Sequence, residues 1–354
     1  MAAKLVPLGG LLIGLVFGAT AQLSHFCTMG CVSDVVLFGS FRRARVWALA
    51  LAVALAGSQA LELMGGVALD RSLYRAPTLP WLGCLVGGVM FGFGMVLAGG
   101  CISRNLVRLG GGSLKALVTL LVLAATAGAM LTGVLAPLRS AVARLGTVPL
   151  AGDGGVPALL ARATGLPQAP LALALTLVLT TTLLNFALRD PALRRSRGDL
   201  ATGILLGVLV PLGWLVTAVD TSPQSLNFVP PTAAALAALL RGAAPDLGLG
   251  LVAGTVLGAM AMAARHGRLR LEAFTGRDDM VRHLVGAVLM GAGGVLALGC
   301  TIGQGLTGLA TLGLASLAAW LAMLAGAWWG VRYLETGSLR GVLPPWLRTD
   351  MPAG

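Results

Sequence analysis

Five cysteines, Cys27, Cys31, Cys84, Cys101 and Cys300, are the side chains of this sequence whose type and placement could do chemistry. Two of them end the same spelling. Gly87, Gly92, Gly94, Gly100 and Cys101 recur at identical spacing, 199 residues on, as Gly286, Gly291, Gly293, Gly299 and Cys300, both reading G-x4-G-x-G-x5-G-C. An odd number of cysteines is no disulfide framework. Cys27 and Cys31 lie one helical turn apart beside His25, but zinc sites usually combine two such close pairs and the second is missing, so no metal is expected. Cys84, among Leu and Gly, reads as a small buried hydrophobe. HExxH, P-loop and nucleophile-elbow patterns are absent, and three histidines give a His-based catalytic site little to draw on. No catalytic residue, cofactor or enzymatic activity is expected.

Cys27, Cys101 and Cys300 share a context. Each follows an apolar segment and opens a short amphiphilic stretch: Ser24-His25-Phe26-Cys27-Thr28-Met29-Gly30-Cys31, then Ile102-Ser103-Arg104-Asn105 after Cys101, then Thr301-Ile302-Gly303-Gln304-Gly305 after Cys300. Such breaks are tolerated at membrane depth only when buried in protein or lining a wet path. A neutral S–H is a weak donor on a soft sulfur, able to touch a sulfur-bearing anion without holding it tightly. Helix starts behind each cysteine would add positive ends. The expected relay is therefore Cys27, Cys101 and Cys300, with Cys31, Thr301, Gln304 and Arg104 as auxiliary candidates. Arg104 and Arg108 read equally well as attraction at an inner mouth or as topogenic charge.

The elements that position these residues follow from composition. Of the 354 residues 57% are hydrophobic and 11% charged, and mean hydropathy is +0.89. Apolar stretches of about 20 residues span a bilayer as helices. They fall near 5–24, 46–64, 82–100, 113–136, 169–188, 200–219, 247–264, 283–299 and 310–334, predicting about nine transmembrane helices in an all-α polytopic membrane protein, a single membrane domain over 1–354. Strand-like alternation is absent, which argues against a membrane barrel.

The net charge of +12 comes from 25 basic residues, of which Lys4 and Lys115 are the two lysines. The arginines crowd at Arg42, Arg43 and Arg45, at Arg189 to Arg197, and at Arg265 to Arg282, as the positive-inside rule expects and nucleic-acid binding does not require. With those loops inside, the N-terminus is periplasmic and the C-terminus, carrying Arg332, Arg340 and Arg348, is cytoplasmic. Lys4, an apolar run and Ala19-Thr20-Ala21 resemble a cleavable signal, but the run from Leu5 is long enough to span.

Nine spans with an odd number of crossings between copies make the duplication inverted: repeat one over 5–136, a linking helix at 169–188, and repeat two over 199–334. Gly14/Gly18 and Gly203/Gly207 add a matching GxxxG. Inverted repeats place a substrate site near the midplane, beside broken helices, here expected to be re-entrant. By this symmetry the 221–231 run, read as extended, stands where Cys27 stands and has no cysteine.

His-Phe-Cys-Thr-Met-Gly-Cys-Val-Ser-Asp (25–34), Gly-Met-Val-Leu-Ala-Gly-Gly-Cys (94–101), Leu-Gly-Cys-Thr-Ile-Gly-Gln-Gly-Leu-Thr-Gly (298–308), Pro-Leu-Gly-Trp-Leu-Val-Thr (211–217) and Ser-Leu-Asn-Phe-Val-Pro (225–230) resemble the YeeE/YedE sulfur-transport membrane family over nearly the whole chain. The resemblance implies a pseudo-symmetric bundle in the bacterial inner membrane, carrying thiosulfate or a related sulfur anion past cysteines on a narrow path. It carries Cys27, Cys101 and Cys300 over as relay residues, and implies a small cytosolic sulfur-carrier protein as a partner. Ile102-Ser103-Arg104-Asn105 departs from the Gly or Thr that members often show soon after the cysteine. Two other readings stay open: a membrane thiol-redox protein cycling Cys27 and Cys31, and a selenium- or sulfur-carrier-linked membrane component.

Overall fold

The computed structural model describes residues 2–150, 152–242 and 246–337; Arg340 and Arg348, assigned above to the inner side, lie outside the described residues. Six helices come first: α1 (Ala2–Ser24), α2 (Thr28–Phe38), α3 (Arg42–Leu63), α4 (Trp81–Leu97), α5 (Ile102–Gly110) and α6 (Leu114–Leu131). A connecting stretch holds α7 (Ala136–Leu145), α8 (Val156–Thr164), α9 (Gln168–Leu188) and α10 (Pro191–Arg195). Then follow α11 (Arg197–Val216), α12 (Val229–Arg241), α13 (Leu247–Arg265), α14 (Arg277–Leu296), a π-turn over Gly303–Gly308, and α15 (Leu314–Thr336). Among the described residues, strand is confined to β1 (Thr78–Leu79) and β2 (Val148–Pro149), paired antiparallel. Nine helical runs there are long and apolar enough to cross a membrane, and the protein is a multi-pass helical membrane protein.

The glycines decide how these helices pack, because apolar helices in lipid associate through close van der Waals contact rather than through the hydrophobic effect. The repeated glycines meet one another. A methyl at Gly87 would come 2.6 Å from the Gly293 carbonyl, and one at Gly293 2.6 Å from the Gly87 carbonyl. Gly94 and Gly286 are reciprocal in the same way, at 2.8 and 2.6 Å. The α4 and α14 helices therefore cross antiparallel, backbone on backbone. Both GxxxG pairs are also buried. Gly18 lies on α13, where a Cβ would sit 2.0 Å from the Thr255 carbonyl, and Gly207 lies on α3, 2.6 Å from the Ala50 carbonyl. So α1 packs on α13 as α11 packs on α3, and α4 packs on α15 as α14 packs on α6. Only 11% of the most apolar stretch of α9 is buried, so this helix rides on the outside, against α3 and α8.

Three short helices lie where the sequence read as loop or extended chain. The 137–168 connection contains α7 and α8, and the 221–231 run turns helical at Val229. Each of the three begins with proline at its first or second position. Proline's fixed φ and missing N–H are tolerated there, because the first-turn N–H has no intrahelical partner.

Ion pairs stand at both ends of α3: at its start Arg42 meets Asp199 at 2.7 Å and Arg45 meets Asp190, and near its end Glu62 meets Arg75, which also pairs with Asp153. The Arg42 and Arg45 pairs fasten the start of α3 to α10 and α11.

Candidate functional site

Cys27, Cys101 and Cys300 each stand immediately before a helical turn. Cys27 is the N-cap of α2 and Cys101 the N-cap of α5, both with extended backbone. The Cys300 carbonyl accepts from the Gln304 N–H at 2.7 Å, opening the turn that becomes the π segment. The break before the last two cysteines has one geometry: Gly99 and Leu298 occupy corresponding positions with φ of +66° and +60°. Glycine takes that left-handed conformation freely, whereas a leucine is held there at a cost by surrounding structure.

The first-turn N–H groups of a helix lack intrahelical acceptors, and here they turn toward sulfur. The Gly303 N–H donates to Cys300 Sγ at 3.3 Å. The Phe228 N–H also approaches Cys300, while the Gly30 and Arg104 N–H groups approach Cys27 and Cys101 in the same i+3 relation. Each thiol thus sits at the positive end of a helical turn.

The three come together. The Cys27 thiol faces the Cys101 thiol, and Cys101 also faces the Thr301 hydroxyl and lies near Cys300. Ser103 Oγ stands 3.2 Å from Cys101 Sγ. Cys101 is 1% exposed and Cys300 fully buried, whereas Cys27 is half-buried. Several buried polar atoms around them have no hydrogen-bond partner: Thr28 Oγ1, Arg104 Nη1, Asn105 Oδ1, Thr301 Oγ1 and Gln304 Oε1. A buried polar group left unpaired costs roughly 1–3 kcal/mol.

Cavities flank this line. One of about 310 Å³ is bordered by His25, Cys27, Asp34, Arg42, Arg43 and Asp199, among others. Another, of about 300 Å³, is bordered by Tyr74, Ser222, Ser225 and Asn227 and by no charged side chain. Tyr74, on its border, is an electrostatic neighbour of Cys300.

The auxiliary candidates divide. Arg104 reaches His25, Nη2 to Nδ1 at 3.3 Å, on the side of the charged cavity. Gln304 turns its amide back to the Ala297 carbonyl at 2.6 Å, closing the end of α14. Asn105 does the same for Gly100 at 2.8 Å, one copy earlier. Cys31 lies elsewhere. It borders an apolar groove of about 410 Å³ with Val32, Trp47, Trp320 and Trp328. The sequence reading missed His25, Tyr74 and Asn227 as neighbours of the thiols; His25 alone carried a signal, its adjacency to Cys27. Among the described residues, no group of three or more His, Cys, Asp or Glu side chains could hold a metal.

The chain is 27% identical over 340 residues to the thiosulfate transporter TsuA of Escherichia coli (strain K12), covering 91% of this chain and 92% of that protein. It is 28% identical over 330 residues to the thiosulfate transporter TsuA of Spirochaeta thermophila, covering 90% and 96%. The family model described as sulphur transport matches residues 23–329, nearly the whole helical bundle with all five cysteines, and the chain belongs to that family.

Proposed function

We propose that this protein carries thiosulfate across the bacterial inner membrane along Cys27, Cys101 and Cys300, without covalent chemistry. The observation that carries the reading is the placement of three helix-start thiols, Cys27 facing Cys101 and Cys101 near Cys300, with one cavity bordered by Cys27 and another by Tyr74, a neighbour of Cys300. Thiosulfate is a dianion with a soft terminal sulfur. Neutral S–H groups can donate to that sulfur in turn, while the N–H groups of each helical turn offset part of the lost hydration. Conduction needs sites that hold the ion well enough to admit it and weakly enough to release it. Thiols suit that requirement better than lysines at the same places, where a full charge in low dielectric would trap the anion.

In this reading the two halves, 5–136 and 199–334, are inverted repeats joined by α9, and the turns after Cys101 and Cys300 are re-entrant. The antiparallel, reciprocal crossing of α4 and α14 supports this, as does the matched exchange of partners between α1/α13 and α11/α3. Arg42, Arg43 and Arg45 at the Cys27 end support placing that mouth in the cytoplasm. There a small sulfur-carrier protein would meet the emerging anion. Copurification of such a carrier with wild-type protein, lost on reversing Arg42 and Arg43 to Glu, is the expected result; equal recovery with both proteins would remove the carrier from the account.

The test in cells is growth. A bacterial strain that can neither reduce sulfate nor import thiosulfate should grow on thiosulfate when it expresses this protein. Cys101→Ala and Cys300→Ala should abolish that growth at normal expression. Normal growth with either variant would remove the relay.

A further inference from the structure

We propose that Tyr74 and Asn227 form a neutral recognition station at the mouth opposite the arginines, gripping the oxyanion end of thiosulfate and delivering its terminal sulfur to Cys300. The inference rests on the transport reading above and adds the residues that select the anion.

The station occupies the place where the thiol line lacks a fourth member. Cys27 caps α2, and the corresponding start of α12 is Asn227-Phe228-Val229. The Asn227 side chain lies over the Cys300 turn, its Nδ2 donating to the Leu298 carbonyl at 3.4 Å and its Oδ1 accepting from the Val229 N–H at 3.3 Å. Two glycines make room for it: a methyl at Gly303 would fall 2.8 Å from Asn227 Oδ1, and one at Gly299 3.2 Å from Nδ2. Position 104 corresponds to Gly303 in the other copy and carries arginine there. The two ends of the line therefore differ in chemistry, cationic at one and neutral at the other.

Tyr74 completes the station. It is 5% exposed, and its hydroxyl faces the Asn227 amide beside Cys300. Its ring meets Trp214 edge-on at 6.1 Å. Its backbone lies so close to Gly313 that a methyl there would fall 2.4 Å from the Tyr74 carbonyl. The phenol is thus held in place before any ligand arrives, so little ordering is needed on binding. Burial raises its pKa well above the usual phenol value, so it remains an O–H donor at every physiological pH.

Elimination points to the same pair. The cavity on this side has no charged lining residue. The Ser222 and Ser225 hydroxyls donate to the Arg71 and Val210 carbonyls at 3.3 and 2.8 Å. The Tyr74 O–H, the Asn227 amide and the exposed Gln224 amide remain, and of these Tyr74 and Asn227 are the ones beside Cys300. Two neutral donors suit an ion that must be recognised and then let go.

The test is initial-rate uptake of radiolabelled thiosulfate by proteoliposomes of the full chain, over a range of external concentrations. Tyr74→Phe keeps the ring and removes the donor, and Asn227→Ala removes the amide. For each we expect apparent KM to rise about tenfold, the effect of one lost hydrogen bond to a charged group, with the maximal rate within about twofold of wild type. A scaffold role would lower the maximal rate through loss of folded protein and leave KM alone, and that result, or unchanged kinetics, would overturn the inference. Cys300→Ala in the same vesicles separates the two claims: its wild-type uptake would defeat the relay, whereas unchanged KM in Tyr74→Phe defeats the recognition station alone.

Discussion

Cys27, Cys101 and Cys300 have the same chemistry and unequal access. Cys27 borders the charged cavity, whereas Cys101 and Cys300 are shut away. A charged methanethiosulfonate reagent applied from the arginine side should therefore label Cys27 at least about tenfold faster than Cys101, since the reagent must reach the sulfur to react. Thiosulfate should slow that labelling. Equal rates at all three thiols, measured by mass spectrometry, would mean that the line is open rather than closed between its mouths. That Cys27, Cys101 and Cys300 stand at helix starts was legible in the sequence, because each sits at an abrupt change from apolar helix to small and polar residues. Cys31 was the misleading neighbour: four residues on would share a helix face, but Cys27 is an extended N-cap outside the helix, and Cys31 borders the tryptophan-lined groove instead. Tyr74 and Asn227 were not legible: they reach Cys300 from connections 226 and 73 residues away in sequence, and no local periodicity records such a meeting.

Between helices, close approach of backbone does most of the positioning. At the α4–α14 crossing, Gly94→Leu places a side chain where even a methyl meets a carbonyl at 2.8 Å. Overpacking of this kind typically costs about 1–3 kcal/mol or more, so thermal stability in detergent should fall by several degrees, whereas Gly128→Leu, which has open space at its Cβ, should leave it near wild type. Of the repeated glycines, Gly87, Gly94, Gly286 and Gly293 face the crossing, whereas Gly92 faces α15 and Gly291 faces α6. Helices α4 and α14 were readable as apolar runs long enough to span. The short helices α7, α8 and α12 were not, being too brief for hydrophobic periodicity to register, although their leading prolines were the usable sign.

A second positioning device is ionic. Glu272, on the connection between α13 and α14, accepts from Ser113 Oγ at 2.8 Å and pairs with Arg108 at 3.1 Å and Lys115 at 3.5 Å. Its backbone carbonyl also accepts from Leu114 at 2.9 Å. Partial burial pushes its carboxyl up, but the hydrogen bonds from Ser113 and Arg108 and the nearby cations outweigh that, and its pKa lies below the usual 4.5. A depressed carboxyl stabilises the fold fully above its unfolded pKa and loses that contribution as pH falls through the folded value. Melting temperature should therefore decline below about pH 4.5, and less steeply in Glu272→Gln. Identical slopes for the two proteins would remove Glu272 from the linkage. With its carboxylate nearly half exposed, the effect is small.

Taken whole, the molecule is a helical bundle in which α1 packs on α13, α11 on α3 and α4 on α14, with one cavity bordered by Cys27 and another by Tyr74. One mouth is rich in arginine and the other neutral, which fits an anion recognised on one side and drawn to the other. The nine apolar spans were visible in hydropathy; the burial of Cys101 and Cys300 was not, because it depends on which side chains and loops meet at the centre. The central claim is that three uncharged thiols pass the anion. Purified protein in proteoliposomes, loaded with no metabolic machinery, tests it most directly. Wild-type vesicles should accumulate radiolabelled thiosulfate to equilibrium, and Cys27→Ala, Cys101→Ala and Cys300→Ala vesicles with equal folded protein should fall at least about tenfold in initial rate, the scale of one lost hydrogen bond to an ion. Wild-type vesicles that take up nothing, or cysteine variants that fill as fast as wild type, would contradict it.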